Sequence, residues 1–335
     1  MDSSPLIVLS ASRRTDIPAF YMDWFMEQIN KGSFEVVNPY NRQLSRVPAT
    51  PDKIHTIVFW SKNFGYFIKG GFGIKLKEMG YNLFFNFTIN SKFPRLEPRV
   101  PSLNQRLDQL NVLCRNFDTR SVNWRFDPIC LFNSGENEIQ DNLHDFSRIA
   151  ARASRFGITR CITSFMDHYP KIQKRIVPMP GFSFIDPSIE TKIEVLLSME
   201  TVLSEVNIDL YTCCEKQVLE ALPIDSRITK SSCIPNDLLV EMFGGNLSFN
   251  KDTGQRVKDG CGCMVSVDIG SYHNHPCYHN CLFCYANPSS GKPAGLKNTD
   301  ITDYPKIIQK RQNVTQNHVL KPLVLKYQII KITIS

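Results

Sequence analysis

The feature that most constrains this chain is a rhythm. Seven short runs of β-branched or aromatic residues, at 6–10, 56–60, 83–88, 122–126, 159–163, 208–212 and 264–268, alternate with longer amphipathic stretches. Most of the runs are apolar at successive positions, as strands covered on both faces must be. Between them, residues 103–116 repeat leucine at 103, 107, 110 and 113, the stripe of a helix with one buried face. Residues 18–30 open with a proline and stop before Lys31-Gly32, and 138–155 and 189–206 also read as helices. Residues 34–37 and 43–47, around Asn38-Pro39-Tyr40-Asn41, read as an inserted hairpin, and 178–181 as a loop.

Strands that alternate with helices build parallel βα units. A chain of 335 residues, 42% of them hydrophobic, can enclose the core such units need. The expectation is an α/β fold, a TIM-like (β/α) barrel, full or partial, over residues 1–288. In the tail, 289–335, the rhythm lapses into one alternating strand-like stretch at 323–334. No apolar run approaches the ~20 residues of a membrane helix, and the first residues lack the basic-then-apolar pattern of a secretory leader. A cytoplasmic, reducing location without a membrane partner is therefore expected. Lys and Arg exceed Asp and Glu by 39 to 32, a net charge of +7. That balance suits anionic partners, nucleic acid among them, but no basic arm commits the chain to one.

Eleven cysteines crowd toward the C-terminal half. In a reducing compartment this points to metal ligation rather than disulfides. Cys277, Cys281 and Cys284 lie on one loop, 277–284, with gaps of three and two residues. Three thiolates so placed can grip three irons of a 4Fe–4S cluster and leave the fourth without a protein ligand. Two other readings stay open: a zinc site completed by His275 or His279, and buried free thiols. Cys214, Cys233, Cys261 and Cys263 form a second set, fit for an auxiliary cluster or zinc and equally readable as ordinary buried thiols. Cys261 and Cys263 precede the run 264–268 and the triplet follows it, so the two sets are expected to lie apart. Cys114, Cys130 and Cys161 read as core residues.

Polar residues recur at the ends of the runs. Arg13, Arg14 and Asp16 follow the first, Lys62 and Asn63 the second, and Asn90 the third. Arg125 and Asp127 end the fourth, Asp167 follows the fifth, and Glu215 the sixth. The C-terminal ends of parallel strands are where such folds bind ligands. The structural alternative is a salt-bridge network closing the rim, Arg125–Asp127 above all. Asp268 and His273 flank the cysteine loop and suit its orientation. Trp24, Phe25 and Trp60 read as packing aromatics, His144 and His318 as surface residues.

The spacing Cys-x-x-x-Cys-x-x-Cys, with Phe283 before the last cysteine, resembles the radical S-adenosylmethionine (SAM) motif. Its continuation Cys284-Tyr285-Ala286-Asn287 resembles the spore photoproduct lyase branch. The resemblance implies a cluster whose free iron chelates the amino and carboxylate groups of SAM. It also implies a reductase such as flavodoxin or ferredoxin, and a 5′-deoxyadenosyl radical that takes hydrogen from a substrate still unknown. Asp16, Asp127 or Glu215 would then hold the ammonium or ribose of SAM, and Arg13, Arg14 or Arg125 a carboxylate or phosphate. The motif normally follows the first strand of such barrels, whereas here it follows the last run. A circular permutation, with 264–268 in place of the usual first strand and 6–10 of the second, reconciles the two.

Over residues 6–287 the chain is also similar to an uncharacterised bacterial domain-of-unknown-function family with radical-SAM-like cysteines at its C-terminus. The matching stretches are Ser12-Arg-Arg-Thr-Asp-Ile-Pro18, Phe59-Trp-Ser-Lys-Asn63, Trp124-Arg-Phe-Asp-Pro128, Ser164-Phe-Met-Asp167, Cys213-Cys-Glu215 and Cys261-Gly-Cys263 through Asn287. Three functions follow as expectations: a radical SAM enzyme, a non-catalytic zinc or iron–sulfur protein, and a nucleic-acid repair or modification enzyme using the same chemistry.

Overall fold

A computed structural model describes residues 6–287, apart from 39, 40, 42 and 136–138. The tail 289–335 with its strand-like stretch, His318, and Pro39 and Tyr40 of the expected turn lie outside the described residues. In chain order the strands are β1 (Ile7–Ala11), β2 (Ser33–Val37), β3 (Leu44–Pro48), β4 (Ile54–Ser61), β5 (Asn82–Thr88), β6 (Val122–Ile129) and β7 (Leu131–Ser134). They continue as β8 (Ile139–Asp141), β9 (Arg160–Phe165), β10 (Phe182–Ile185), β11 (Asp209–Thr212), β12 (Thr229–Lys230) and β13 (Val267–Asp268).

Eight of these form one parallel sheet in the order β13-β1-β4-β5-β6-β9-β11-β12. All seven expected runs contribute a strand, and β12, two exposed polar residues without a hydrophobic pattern, is the eighth. Within this sheet no ladder joins the end strands β12 and β13 among the described residues. What the pairing shows is thus a large parallel α/β sheet. The expected hairpin forms as β2–β3.

Side chains on successive strand residues point to opposite faces. One face presents Leu9, Ile57, Phe59, Phe85, Phe87, Trp124 and Phe126 to a core shared with the helices Met22–Lys31 and Leu103–Asn116. The latter spans the expected 103–116, opened by a capping box of Ser102 and Gln105. The other face packs Val8, Val58 and Phe84 against Ile234, Leu239 and Leu247, so that the helix Asn236–Phe243 covers it. Farther along the strands this second face turns polar: Asn86 donates to the Cys233 carbonyl (2.9 Å) and Asn123 to Asn86 (3.2 Å).

Three expectations need correction. Residues 18–30 form two helices, Ile17–Phe20 and Met22–Lys31, broken at Tyr21. The stretch 138–155 is helical only over Phe146–Arg155. Ile139, Leu143 and Phe146 mimic a helical i, i+4, i+7 stripe, but Ile139 is exposed in β8. There, β7, β8 and β10 build a small antiparallel sheet whose Phe132, Phe182 and Phe184 form a second core with Leu282 and Phe283 of the cysteine loop. In 264–268 only Val267–Asp268 pairs with β1, and Met264 instead bridges Lys251. No helix among the described residues is long and apolar enough to cross a membrane.

Candidate metal and cofactor site

The loop carrying Cys277, Cys281 and Cys284 leaves β13 and is pinned by contacts to several elements. Tyr21 Oη donates to the Pro276 carbonyl at 2.6 Å. His279 Nε2 donates to Asp16 Oδ2 at 2.8 Å, and both residues are buried. The Leu282 amide donates to the Leu96 carbonyl at 2.8 Å. Asn280 takes a positive φ of 57° in the turn between the first two cysteines, a conformation asparagine tolerates better than most residues. Asn287 Nδ2 closes the loop by donating to the Cys281 carbonyl and to Asn280 Oδ1, each at 3.0 Å.

Arg175, on the helix Pro170–Ile176, clamps this loop from outside. Its guanidinium donates to the carbonyls of Leu282, Cys284 (3.2 Å) and Asn287 (3.1 Å). Buried carbonyls left without a donor cost about 1–3 kcal/mol each. An Arg175→Met variant is therefore expected to lose about 2–3 kcal/mol in urea unfolding and to bind less iron after reconstitution than the wild type. Unchanged stability and iron content would remove the clamp.

The sulfurs of Cys277, Cys281 and Cys284 do not all lie within 4.8 Å of one another, but their charges interact. Burial, Asp16 and Cys284 push the Cys277 thiol up, and burial, partly offset by Lys62, does the same to Cys281. Such thiols are poor thiolates until a metal displaces their protons.

Beside the loop, Lys62 Nζ pairs with Glu97 Oε1 at 2.7 Å and lies 5.2 Å from the Phe283 ring centroid. Burial works against the charge of Glu97, yet Lys62 and Arg106 outweigh it and hold the carboxyl below its usual range. Next along the rim, Arg125 donates to Asp127 and to Cys233 Sγ, and Asp127 accepts from Ser164. Two guanidiniums lie over the Trp60 ring, Arg13 at 5.6 Å and Arg125 at 5.3 Å from its centroid. Arg13 pairs with Asp252 at 3.5 Å through Nη1, while its buried Nη2 has no partner. Glu215 accepts from the Phe165 amide at 2.8 Å, and burial pushes its carboxyl up to about 7.

The second cysteine set does come together, with one addition. Sulfurs of Cys213, Cys214 and Cys261 all lie within 4.8 Å of one another, so these three can hold a metal ion. Cys213 is 3.6 Å from Cys214 and 3.9 Å from Cys233, and Cys263 is buried in the same cluster as Cys213, Cys233 and Cys261. Cys213 was not among the four expected ligands, yet it sits at the centre of the group. Cys130 and Cys161 are buried core residues, and Cys114 packs half-buried against the core.

The polar rim residues divide by what already occupies them. Both Asp16 oxygens are engaged: Oδ1 accepts from the Ala19 amide and Ser61 Oγ, Oδ2 from the Lys62 amide and His279. Asp268 accepts from Ser10, Ser12 and the Arg13 and Gly270 amides, fastening β13 to β1 ahead of the loop. Arg14 donates to the Gly270 carbonyl at 3.0 Å. Arg125 and Asp127 pair internally, as the structural alternative had it. Asp167 pairs with Arg256, and Asn63 caps the turn into the helix Gly65–Lys69. Trp24 and Phe25 pack on Phe34. His144 is exposed, and His275 packs tilted against Trp24, ring centroids 4.1 Å apart. Sequence reasoning missed Arg175, Glu97, Tyr21 and Cys213. Only Cys213, adjacent to a chosen cysteine, carried a visible signal.

The chain belongs to the family described as "Domain of unknown function (DUF1848)", which matches residues 8–286. No curated protein matches it.

Proposed function

We propose that the chain is a radical SAM enzyme, with a 4Fe–4S cluster on Cys277, Cys281 and Cys284. The observation that carries this reading is the loop itself. Its carbonyls are taken up by Arg175 and Asn287, and His279, one of the two histidines that could complete a zinc site, is committed to Asp16. Such a loop fits a cluster with one open iron better than a closed zinc site. When bound and reduced, the cluster would cleave SAM and so supply a 5′-deoxyadenosyl radical that abstracts hydrogen from the substrate.

The chain's own residues would bind and orient. Arg13, with its unpartnered Nη2, suits the carboxylate of SAM or an anionic substrate, and Glu215 its ammonium or ribose; Arg125 and Asp127, paired with each other, could join them only by giving up that pair. Asp16, Asp268 and Arg175 would hold the loop. The pairing of β13 beside β1 supports a partial barrel permuted as the motif's position requires. A small reductase such as flavodoxin or ferredoxin, in the cytoplasm, would deliver the electron.

The test is to purify the protein anaerobically, reconstitute it with iron and sulfide, and incubate it with SAM and dithionite. Chromatography should then show 5′-deoxyadenosine. A fully loaded cluster that leaves SAM intact would overturn the reading. A second reading, a metal protein without turnover, draws on the close thiols of Cys213, Cys214 and Cys261. It predicts bound metal and no SAM cleavage.

A further inference from the structure

We infer that Cys213, Cys214 and Cys261, with a fourth thiolate from Cys233 or Cys263, form a tetrahedral site for one thiophilic divalent ion, zinc or iron. This inference does not rest on the radical SAM reading of the triplet.

Distance is the first argument. A metal–sulfur bond of about 2.3 Å in tetrahedral geometry places sulfurs about 3.8 Å apart. The Cys213–Cys214 and Cys213–Cys233 separations of 3.6 and 3.9 Å bracket that spacing. Thiolates that each take a different iron of a cubane stand farther apart than thiolates sharing one ion.

The backbone is shaped to bring these sulfurs together. They come from three segments: the end of β11, the turn before the helix Asn236–Phe243, and residues 261–263. In a regular strand the neighbours Cys213 and Cys214 would point to opposite faces. Cys214 has a positive φ of 63°, uncommon outside glycine, and this brings both sulfurs to one side. At Gly262 an added Cβ would lie 2.4 Å from the Ser231 carbonyl oxygen, so the 261–263 segment rests directly on the backbone that leads to Cys233. Between the helix ending at Phe243 and β13, the chain has no regular element beyond the single bridge Lys251–Met264. A stretch with so little secondary structure is the kind that a metal ties down.

The surroundings match the charge. Four thiolates on a divalent ion leave an excess of two negative charges. Arg125 donates to Cys233 Sγ, and the charges of Arg13 and Arg256 are near enough to interact with Cys263 and Cys233 and with Cys214 and Cys213, respectively. Cationic groups around sulfur ligands stabilise the bound form. Buried thiols elsewhere, at Cys130 and Cys161, form no such group.

The experiment uses the full chain with Cys277, Cys281 and Cys284 all changed to alanine, which removes the triplet. Zinc, iron and labile sulfide are measured, and the ion is then exchanged for Co²⁺. The expected result is about one ion per chain, no labile sulfide, and thiolate-to-cobalt charge transfer with tetrahedral d–d bands. A further Cys261→Ser change should diminish or shift these bands. Absence of metal with an octahedral cobalt spectrum, iron accompanied by sulfide, or a disulfide among the five cysteines would each overturn the site. Should the triple variant not fold, the wild type is alkylated before and after EDTA and mapped by mass spectrometry. Labelling of Cys213, Cys214 and Cys261 that rises with chelation supports the site, and labelling indifferent to chelation overturns it.

Discussion

Changing Cys281 to alanine is expected to reduce 5′-deoxyadenosine formation to background in an otherwise folded chain. Cys281 is the most deeply buried of the three loop cysteines, and its charge is linked to Lys62, Glu97 and the other two thiols. A cubane left with two protein thiolates has two uncoordinated irons and is not held. The loss should therefore appear as missing iron and sulfide, not as weakened SAM binding. Cys130→Ala is the control. Cys130 is fully buried in the same hydrophobic cluster as Cys281, so its loss should cost packing, about 1–2 kcal/mol, and leave turnover intact. If Cys281→Ala made 5′-deoxyadenosine at the wild-type rate, the thiol would not be a ligand.

The same contrast shows how far the sequence could be read. A buried strand announces itself by successive apolar residues, and all seven such runs join the central sheet. The helix Leu103–Asn116 was legible because its leucines keep period. The antiparallel sheet was not, because Ile139, Leu143 and Phe146 fall at helical spacing by accident, and β7 pairs with β10 through residues 48 to 54 positions apart in sequence. The cysteine loop was legible from spacing, but what holds it was not. Arg175 stands in a run of lysine and arginine that looks like any solvated helix face, and only the tertiary fold aims it at four loop carbonyls. Strand alternation would separate the neighbours Cys213 and Cys214, and the left-handed turn at Cys214, invisible in the sequence, cancels it. The two cysteine sets were expected to lie apart. Arg13 connects them, since its carbonyl accepts from Tyr285 of the loop at 2.8 Å and its charge is near enough to interact with Cys263 and Cys233.

Asp16 decides between two roles for the rim. Its resemblance-based role is a contact to SAM, whereas its geometry is that of a bracket. One carboxylate caps the helix Ile17–Phe20, orders the turn after β4 through Ser61 and Lys62, and fixes His279 between Cys277 and Cys281. An Asp16→Ala change leaves four donors without their acceptor in a buried setting. The expected cost is about 3–5 kcal/mol of stability, measured by urea unfolding of the apo chain. Iron loading after reconstitution should fall with it, because His279 and the turn between the first two cysteines lose their anchor. A residue that merely bound SAM would behave otherwise: Asp16→Ala would then raise the KM for SAM while stability and iron content stayed at wild-type values. The two roles predict opposite patterns in measurements that need no knowledge of the substrate, and an Asp16→Asn variant sharpens the comparison. Asparagine keeps the acceptor oxygen that caps Ala19, but its Nδ2 accepts from neither the Lys62 amide nor His279, so it should recover part of the stability and little of the loop's order.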